Sequence, residues 1–106
     1  MKWVKVFESL DKAQDIFGVK SFVKLVIGKT EICLVKFENH IYAVSDICPH
    51  QYENLSKGQV TAYGEIVCPL HFYRFSLKTG SECLNRTKDL KTFRVRADQS
   101  GLFVYC

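Results

Sequence analysis

Two short segments of this 106-residue chain carry side chains of the type that bind metals. The first is Cys48-Pro49-His50 and the second, farther along, is Cys68-Pro69-Leu70-His71. Thiolate sulfur and imidazole nitrogen are the donors that iron and zinc commonly take from proteins. The chain's only two prolines each follow a cysteine, where they stiffen the segment and remove a backbone donor. We therefore expect a metal centre whose ligands are Cys48, His50, Cys68 and His71.

Short strands are the elements predicted to position these donors. The β-branched and aromatic runs Phe22 to Ile27 and Thr30 to Phe37 are joined at Gly28-Lys29, which predicts a hairpin with a two-residue turn. Glu38-Asn39 then turns into a strand at His40 to Ser45. Further short strands are predicted at Gln59 to Ala62, Glu65 to Cys68 and Arg74 to Leu77. A single helical turn is expected at Leu10 to Phe17, with Ser9 as its N-cap and Gly18 as its stop.

The end of the chain has the clearest strand pattern. Apolar Phe93, Val95 and Ala97 alternate with polar neighbours, and Gln99-Ser100-Gly101 then turns into Leu102 to Tyr105. Many strands at this spacing predict an all-β protein, a small antiparallel β-sandwich or barrel. Both ligand pairs fall on loops that leave predicted strands, and a rigid sheet holds such loops side by side.

Composition is that of an ordinary globular domain, with 47% hydrophobic and 25% charged residues. The formal charge of +4 is too small to indicate nucleic acid. No signal peptide and no membrane span is recognisable, so we expect one cytoplasmic domain over residues 1–106 with no membrane insertion. Three cysteines remain outside the motif, and this odd number favours reduced thiols. They are Cys33, expected in the core, Cys83 and Cys106.

The ligand segments and the residues between them resemble the Rieske-type 2Fe-2S ferredoxins. The resemblance rests on Cys48-Pro-His50-Gln51, on Leu55-Ser-Lys-Gly-Gln-Val60, on Gly64-Glu-Ile-Val-Cys68-Pro-Leu-His71 and on Thr79-Gly80. It implies the Rieske fold, with a cluster-binding subdomain inserted at about residues 46–80. It also implies one 2Fe-2S cluster per chain. Cys48 and Cys68 would then bind the inner iron, and His50 and His71 the outer iron.

The same resemblance implies a one-electron carrier, a monomer in isolation, that takes electrons from a flavin reductase and passes them to an oxygenase. Two alternatives remain open, a small redox subunit of a larger reductase such as a nitrite-reductase-like assembly, and a structural zinc module. A Rieske oxygenase would need a second iron site built from two histidines and a carboxylate. The chain has three histidines, of which two are assigned to the cluster. We therefore expect no catalytic site, and a structural role for His40.

Departures from the respiratory members of the family favour a low reduction potential. Those members carry a second cysteine in each loop, and the matching positions here hold Glu53 and Leu70. They also place a serine and a tyrosine where this chain has Tyr73 and Phe75. Phe75 donates no hydrogen bond, Tyr73 is too long to replace serine, and Glu53 adds negative charge. We predict a potential near the lower end of the Rieske range of roughly −150 to +300 mV.

Two aromatic residues depart from the pattern of many ferredoxins in the family. Tyr52 and Phe72 stand where those proteins have glycine. Because glycine permits positive φ and an aromatic residue resists it, the backbone is expected to differ at both points. Together with Tyr73, these residues would cover the cluster, form an apolar rim for docking, or pack locally under the loops.

Overall fold

The computed structural model describes residues 1–17, 22–50 and 52–106 of the chain. Within that part, a single α-helix and nine strands are found. They are β1 (Trp3–Phe7), α1 (Leu10–Phe17), β2 (Phe22–Ile27), β3 (Thr30–Phe37), β4 (His40–Ser45), β5 (Gln59–Val60), β6 (Glu65–Val67), β7 (Arg74–Ser76), β8 (Thr92–Asp98) and β9 (Gly101–Tyr105). A short 3-10 turn lies at Leu55–Lys57.

Six strands form one antiparallel sheet in the order β1-β9-β8-β4-β3-β2. The predicted hairpin of β2 and β3 is confirmed, and Gly28 takes the positive φ of 61° that its tight turn requires. Glu38 and Asn39 also have positive φ, 50° and 65°, in the turn that joins β3 to β4. Antiparallel pairing of β1 with β9 brings the two ends of the chain together.

Both faces of β3 are buried, which explains its unbroken apolar run. Ile32 and Leu34 face a core that β8, β9 and α1 cover, whereas Cys33 and Val35 face a second core. A strand buried on both faces reads as a continuous hydrophobic stretch, without alternation. The expected burial of Cys33 is confirmed, and the second core is the one that reaches the ligand loops.

The helix α1 has the predicted bounds but is longer than the single turn expected. Its eight residues make about two turns, and the Ser9 hydroxyl accepts a hydrogen bond from the Lys12 amide at 3.2 Å, as an N-cap does. Ala13 and Phe17 bury the helix against the six-stranded sheet. The predicted stop at Gly18 lies outside the described residues.

A small second sheet of order β5-β6-β7 lies at the ligand end. Its strands are shorter than predicted, because they end at Val60, Val67 and Ser76, where turns or irregular backbone follow. The Thr61 amide, for example, donates to the Glu65 carbonyl at 2.8 Å and so closes a turn directly after β5. The prediction of an all-β antiparallel architecture is confirmed. Over the ranges described, no helix has the length and apolarity to cross a bilayer.

Candidate functional site

The two ligand segments fold into loops with the same backbone hydrogen bonds. We call residues 48–50 and 52–53 the first loop and residues 68–73 the second loop; the first follows β4, and the second joins β6 to β7. Cys48 donates its amide to the Glu53 carbonyl at 2.9 Å, and Cys68 donates to the Tyr73 carbonyl at 2.9 Å. Each cysteine carbonyl accepts from the fourth residue after it, Tyr52 at 2.8 Å and Phe72 at 3.0 Å. The two loops thus present their cysteines in equivalent settings.

The expectation of an altered backbone at Tyr52 and Phe72 is wrong. Their φ angles are 59° and 58°, so both aromatic residues take the left-handed conformation that glycine would take. In both loops, the amide of this aromatic residue donates a hydrogen bond to the carbonyl of the cysteine four residues earlier. A left-handed residue with a side chain carries a strain of about 1–2 kcal/mol. Both loops therefore hold a strained aromatic residue beside the candidate ligands.

The four candidate ligands divide into a buried pair and a more accessible pair. Cys48 and Cys68 are fully buried in the second core, which also contains Leu55 and Phe75. His50 and His71 lie side by side, with ring centroids 5.2 Å apart and an interplanar angle of 71°. His71 is exposed and His50 is partly buried.

His50 has a buried ring nitrogen that lacks a protein partner. Its Nδ1 atom has no hydrogen-bond partner among the described residues. A buried polar atom of this kind is rare in folded proteins and requires an explanation. A metal bond to Nδ1 supplies one, so the residues present fit a metal-bound group.

A group with two metal ions matches this division of ligands. A Rieske cluster needs two cysteines on one iron and two histidines on the other. Structural zinc, in contrast, usually takes four ligands around one ion.

The positions that differ from the respiratory pattern have other contacts here. The Tyr73 ring stacks on His50, with centroids 3.9 Å apart and planes 15° apart. Phe75 is fully buried in the second core. Glu53 accepts a hydrogen bond from the Asn54 amide and pairs with Lys57 at 3.5 Å, and these contacts lower the pKa of its carboxyl group. The negative charge of Glu53 is therefore partly offset.

Asp46 fixes the entrance to the first loop. Its fully buried carboxylate accepts hydrogen bonds from the Ser56 amide at 2.7 Å, the Ser56 hydroxyl at 3.0 Å and the Asn54 side chain at 2.8 Å. Lys24 lies 3.5 Å away and supplies a positive charge. This network ties the chain before Cys48 to the chain after the first loop.

A third loop, residues 81–90, lies beside the two ligand loops, and the sequence reasoning missed it. Arg86 binds the buried carboxylate of Glu82 through Nε at 3.0 Å and Nη2 at 2.7 Å. These hydrogen bonds hold the pKa of Glu82 well below its usual range. Arg86 also lies over the Tyr73 ring, 3.8 Å from its centroid. Glu82 and Arg86 are four residues apart in the sequence, and this spacing was a possible signal of an ion pair. Such pairs are common on protein surfaces.

Exposed apolar side chains lie on the two ligand loops and on the third loop. We call this set the apolar rim: Tyr52 (72% exposed), Leu70 (45%), Phe72 (71%) and Leu84 (66%). The first three belong to the ligand loops and the fourth to the third loop.

The remaining cysteines and the third histidine are outside the two ligand loops, although Cys33 shares the second core with Cys48 and Cys68. Cys33, Cys83 and Cys106 form no disulfide in the described part of the chain. Burial raises the pKa of the Cys33 thiol to about 12. His40 begins β4, where its ring lies 6.1 Å from that of Tyr42.

Comparison with known proteins agrees with the geometry. Residues 2–94 match the model of the Rieske 2Fe-2S domain family. The ferredoxin component of the naphthalene 1,2-dioxygenase/salicylate 5-hydroxylase systems of a Ralstonia species is 41% identical over 85 residues, which are 79% of this chain and 75% of that protein.

Two further relatives match nearly the full length of the chain. The ferredoxin component of the naphthalene 1,2-dioxygenase system of Pseudomonas putida is 34% identical over 106 residues, covering 98% of this chain and 95% of that protein. Among solved structures, the ferredoxin of carbazole 1,9a-dioxygenase from Nocardioides aromaticivorans IC177 superposes with a TM-score of 0.80. It is 26% identical, and the match covers 99% of this chain and 98% of that one.

Proposed function

The chain belongs to the Rieske 2Fe-2S domain family, and from this premise we propose that it is the ferredoxin of an oxygenase system, a one-electron carrier without a catalytic site of its own. We assign Cys48 and Cys68 to the inner iron of the cluster and His50 and His71 to the outer iron. The single observation that carries this assignment is the pair of equivalent loops, which bury both cysteines and leave both histidines nearer the surface. The cluster supplies one-electron chemistry at potentials above those of four-cysteine ferredoxins.

The protein environment favours electron exchange through the histidine side. The second core closes around the cysteines, with Leu55, Ile66 and Phe75 all fully buried. This packing excludes water from the inner half of the site. His71 is exposed, so it provides the shortest route from the site to a partner protein.

The apolar rim is the proposed docking surface for redox partners. Tyr52 and Phe72 are large, mostly exposed and held in a strained conformation. Strained backbone at an exposed position is often retained for function. Aromatic residues are also enriched in the centres of protein interfaces. This supports the docking role over local packing for these two residues, whereas Tyr73 is packed on His50.

The partners are a flavin reductase as electron donor and a terminal oxygenase as acceptor. The named relatives are ferredoxin components of dioxygenase systems, which supports an oxygenase as the acceptor. We further propose that the chain acts as one cytoplasmic, monomeric domain, with residues 46–80 as its cluster-binding subdomain. The third loop, which follows this subdomain, contributes to the site as well.

A low reduction potential follows from the contacts around the ligands. Phe75 has no hydroxyl to donate to the cluster, and the ring of Tyr73 is engaged against His50. Hydrogen bonds to cluster sulfur raise the potential, so the lack of a donor at Phe75 leaves it lower. A redox titration of the purified protein should give a midpoint near the lower end of the Rieske range. A clearly positive midpoint would contradict this account of Tyr73 and Phe75.

The ligand assignment is tested by replacing one histidine. His71→Cys exchanges a neutral imidazole for a thiolate, so it should change the EPR signal of the reduced protein or abolish it. Cys83→Ser is the matched control, because Cys83 is an exposed cysteine outside the ligand loops and serine can keep the hydrogen bond that the thiol donates to Glu82. It should leave the signal intact. A wild-type signal in His71→Cys would remove His71 from the ligand set.

A further inference from the structure

Three planar groups are stacked at one side of the site. The Arg86 guanidinium lies 3.8 Å from the centroid of the Tyr73 ring, and the His50 imidazole lies 3.9 Å from the same centroid with nearly parallel planes. Both groups cannot occupy one face of the ring at such short distances. The ring of Tyr73 is therefore clamped between the guanidinium and the imidazole.

The outer member of this stack is itself held in place. Glu82 is fully buried, and its carboxylate binds the Arg86 side chain through two nitrogens and the Arg86 amide at 2.8 Å. A bidentate pair of this kind fixes the plane of the guanidinium as well as its position. The backbone around Glu82 is anchored to β7, because Glu82 bridges to Phe75 and the Cys83 amide donates to the Arg74 carbonyl at 2.9 Å.

The inner member of the stack has little freedom left. One face of the His50 ring meets Tyr73, and the His71 ring meets it at a steep angle, 5.2 Å away. Its Nδ1 atom is buried. The stack thus restricts rotation of the imidazole about the bond that would join it to iron.

We infer that Arg86, held by Glu82 and acting through Tyr73, is a positioning residue that fixes the plane of His50 and favours the reduced state of the site. This inference rests on the proposed function, because it takes His50 as an iron ligand. The orientation of an imidazole changes its overlap with iron orbitals and hence the spectrum of the reduced centre. The positively charged guanidinium of Arg86, and not the carboxylate of Glu82, lies against Tyr73. A positive charge on that side stabilises an added electron.

Two variants and a control test the stack in the cluster-loaded protein. Tyr73→Leu removes the flat ring but keeps an apolar side chain. The double variant Glu82→Gln/Arg86→Gln removes the cation without leaving a buried charge unpaired. Tyr73→Phe is the control, because it keeps the ring and removes the hydroxyl. Iron content, the EPR spectrum after reduction and the midpoint potential are measured for each.

Tyr73→Phe should match the wild type in all three measurements. Tyr73→Leu should shift the EPR g values at unchanged iron content, and the double variant should lower the midpoint potential as well as shift the g values. Wild-type spectra in Tyr73→Leu, or a wild-type midpoint in the double variant, would overturn the inference. If Tyr73→Leu loses iron, the double variant decides the question alone. A wild-type protein without a cluster would instead reject the proposed function.

Discussion

Replacing Tyr52 or Phe72 with glycine should leave the stability of the protein almost unchanged, although each substitution removes a large aromatic side chain. Both residues have positive φ, which glycine adopts without strain. Both are also more than two thirds exposed, so their rings contribute little to the core.

The expected change in the free energy of unfolding combines three terms. Relief of the left-handed strain stabilises the variant by about 1–2 kcal/mol. The greater freedom of glycine in the unfolded chain destabilises it by about 0.7 kcal/mol. Loss of the covered quarter of each ring, roughly 40 Å² of apolar surface, removes about 1 kcal/mol. The terms nearly cancel, and we expect a net change within about 0.5 kcal/mol.

Tyr63 offers a matched control for this prediction. It is an 87% exposed tyrosine, and it is not among the positive-φ residues of the described chain. Tyr63→Gly gains no relief of strain, so it should destabilise the protein by about 1 kcal/mol. Urea unfolding of the cluster-loaded proteins, followed by circular dichroism under anaerobic conditions, measures the difference.

A destabilisation by Tyr52→Gly as large as that by Tyr63→Gly would refute the reasoning about strain. The functional part of the prediction is measured separately, as the rate of electron delivery to an oxygenase. Tyr52→Gly and Phe72→Gly should slow that delivery severalfold, and Tyr63→Gly should not. Normal rates in both rim variants would exclude these residues from the docking surface.

Three further predictions concern buried groups. Asp46→Ala should destabilise the protein by about 3 kcal/mol in urea and reduce its iron content, because three donors lose their buried acceptor; full iron content would contradict the role of Asp46 in holding the first loop. At pH 8 a maleimide should label Cys83 well before Cys33, because the raised pKa of the Cys33 thiol keeps it protonated and burial shields it. Peptide mass spectrometry measures the labelling of each cysteine, and equal labelling would contradict the burial of Cys33. At pH values above its ordinary pKa of 4.5, the ionised Glu82 stabilises the folded protein. This contribution declines as the pH falls, because the unfolded chain takes up a proton at Glu82 first, and about 0.8 kcal/mol is lost at pH 4. Wild-type protein should therefore lose more stability than Glu82→Gln between pH 6 and pH 4, and equal losses would argue against the Glu82–Arg86 pair.

The candidate ligands and most strands were predictable from the sequence because their signals are local. A cysteine and a histidine two or three residues apart on a proline-stiffened loop remain neighbours in any fold. The hairpin of β2 and β3 is likewise determined by its turn residues, Gly28 and Lys29. The terminal strand β1 received no separate prediction, because its pairing partner β9 lies at the far end of the chain.

The features that were missed depend on contacts between distant segments. Arg86 and Glu82 resemble an ordinary surface ion pair in the sequence, and nothing local indicates that Arg86 lies over Tyr73. The backbone at Tyr52 and Phe72 was mispredicted because residue preference disfavours positive φ. The hydrogen bonds of the loops outweigh that preference here.

The most direct test of the central claim is the electron-nuclear double resonance spectrum of the reduced protein, prepared with isotopically labelled histidine. Two histidine nitrogens bound to one iron, from His50 and His71, should give two resolved nitrogen couplings on the EPR signal of a 2Fe-2S cluster. A cluster signal without nitrogen couplings, or a protein that holds zinc and no iron, would contradict the assignment of these loops to a Rieske centre.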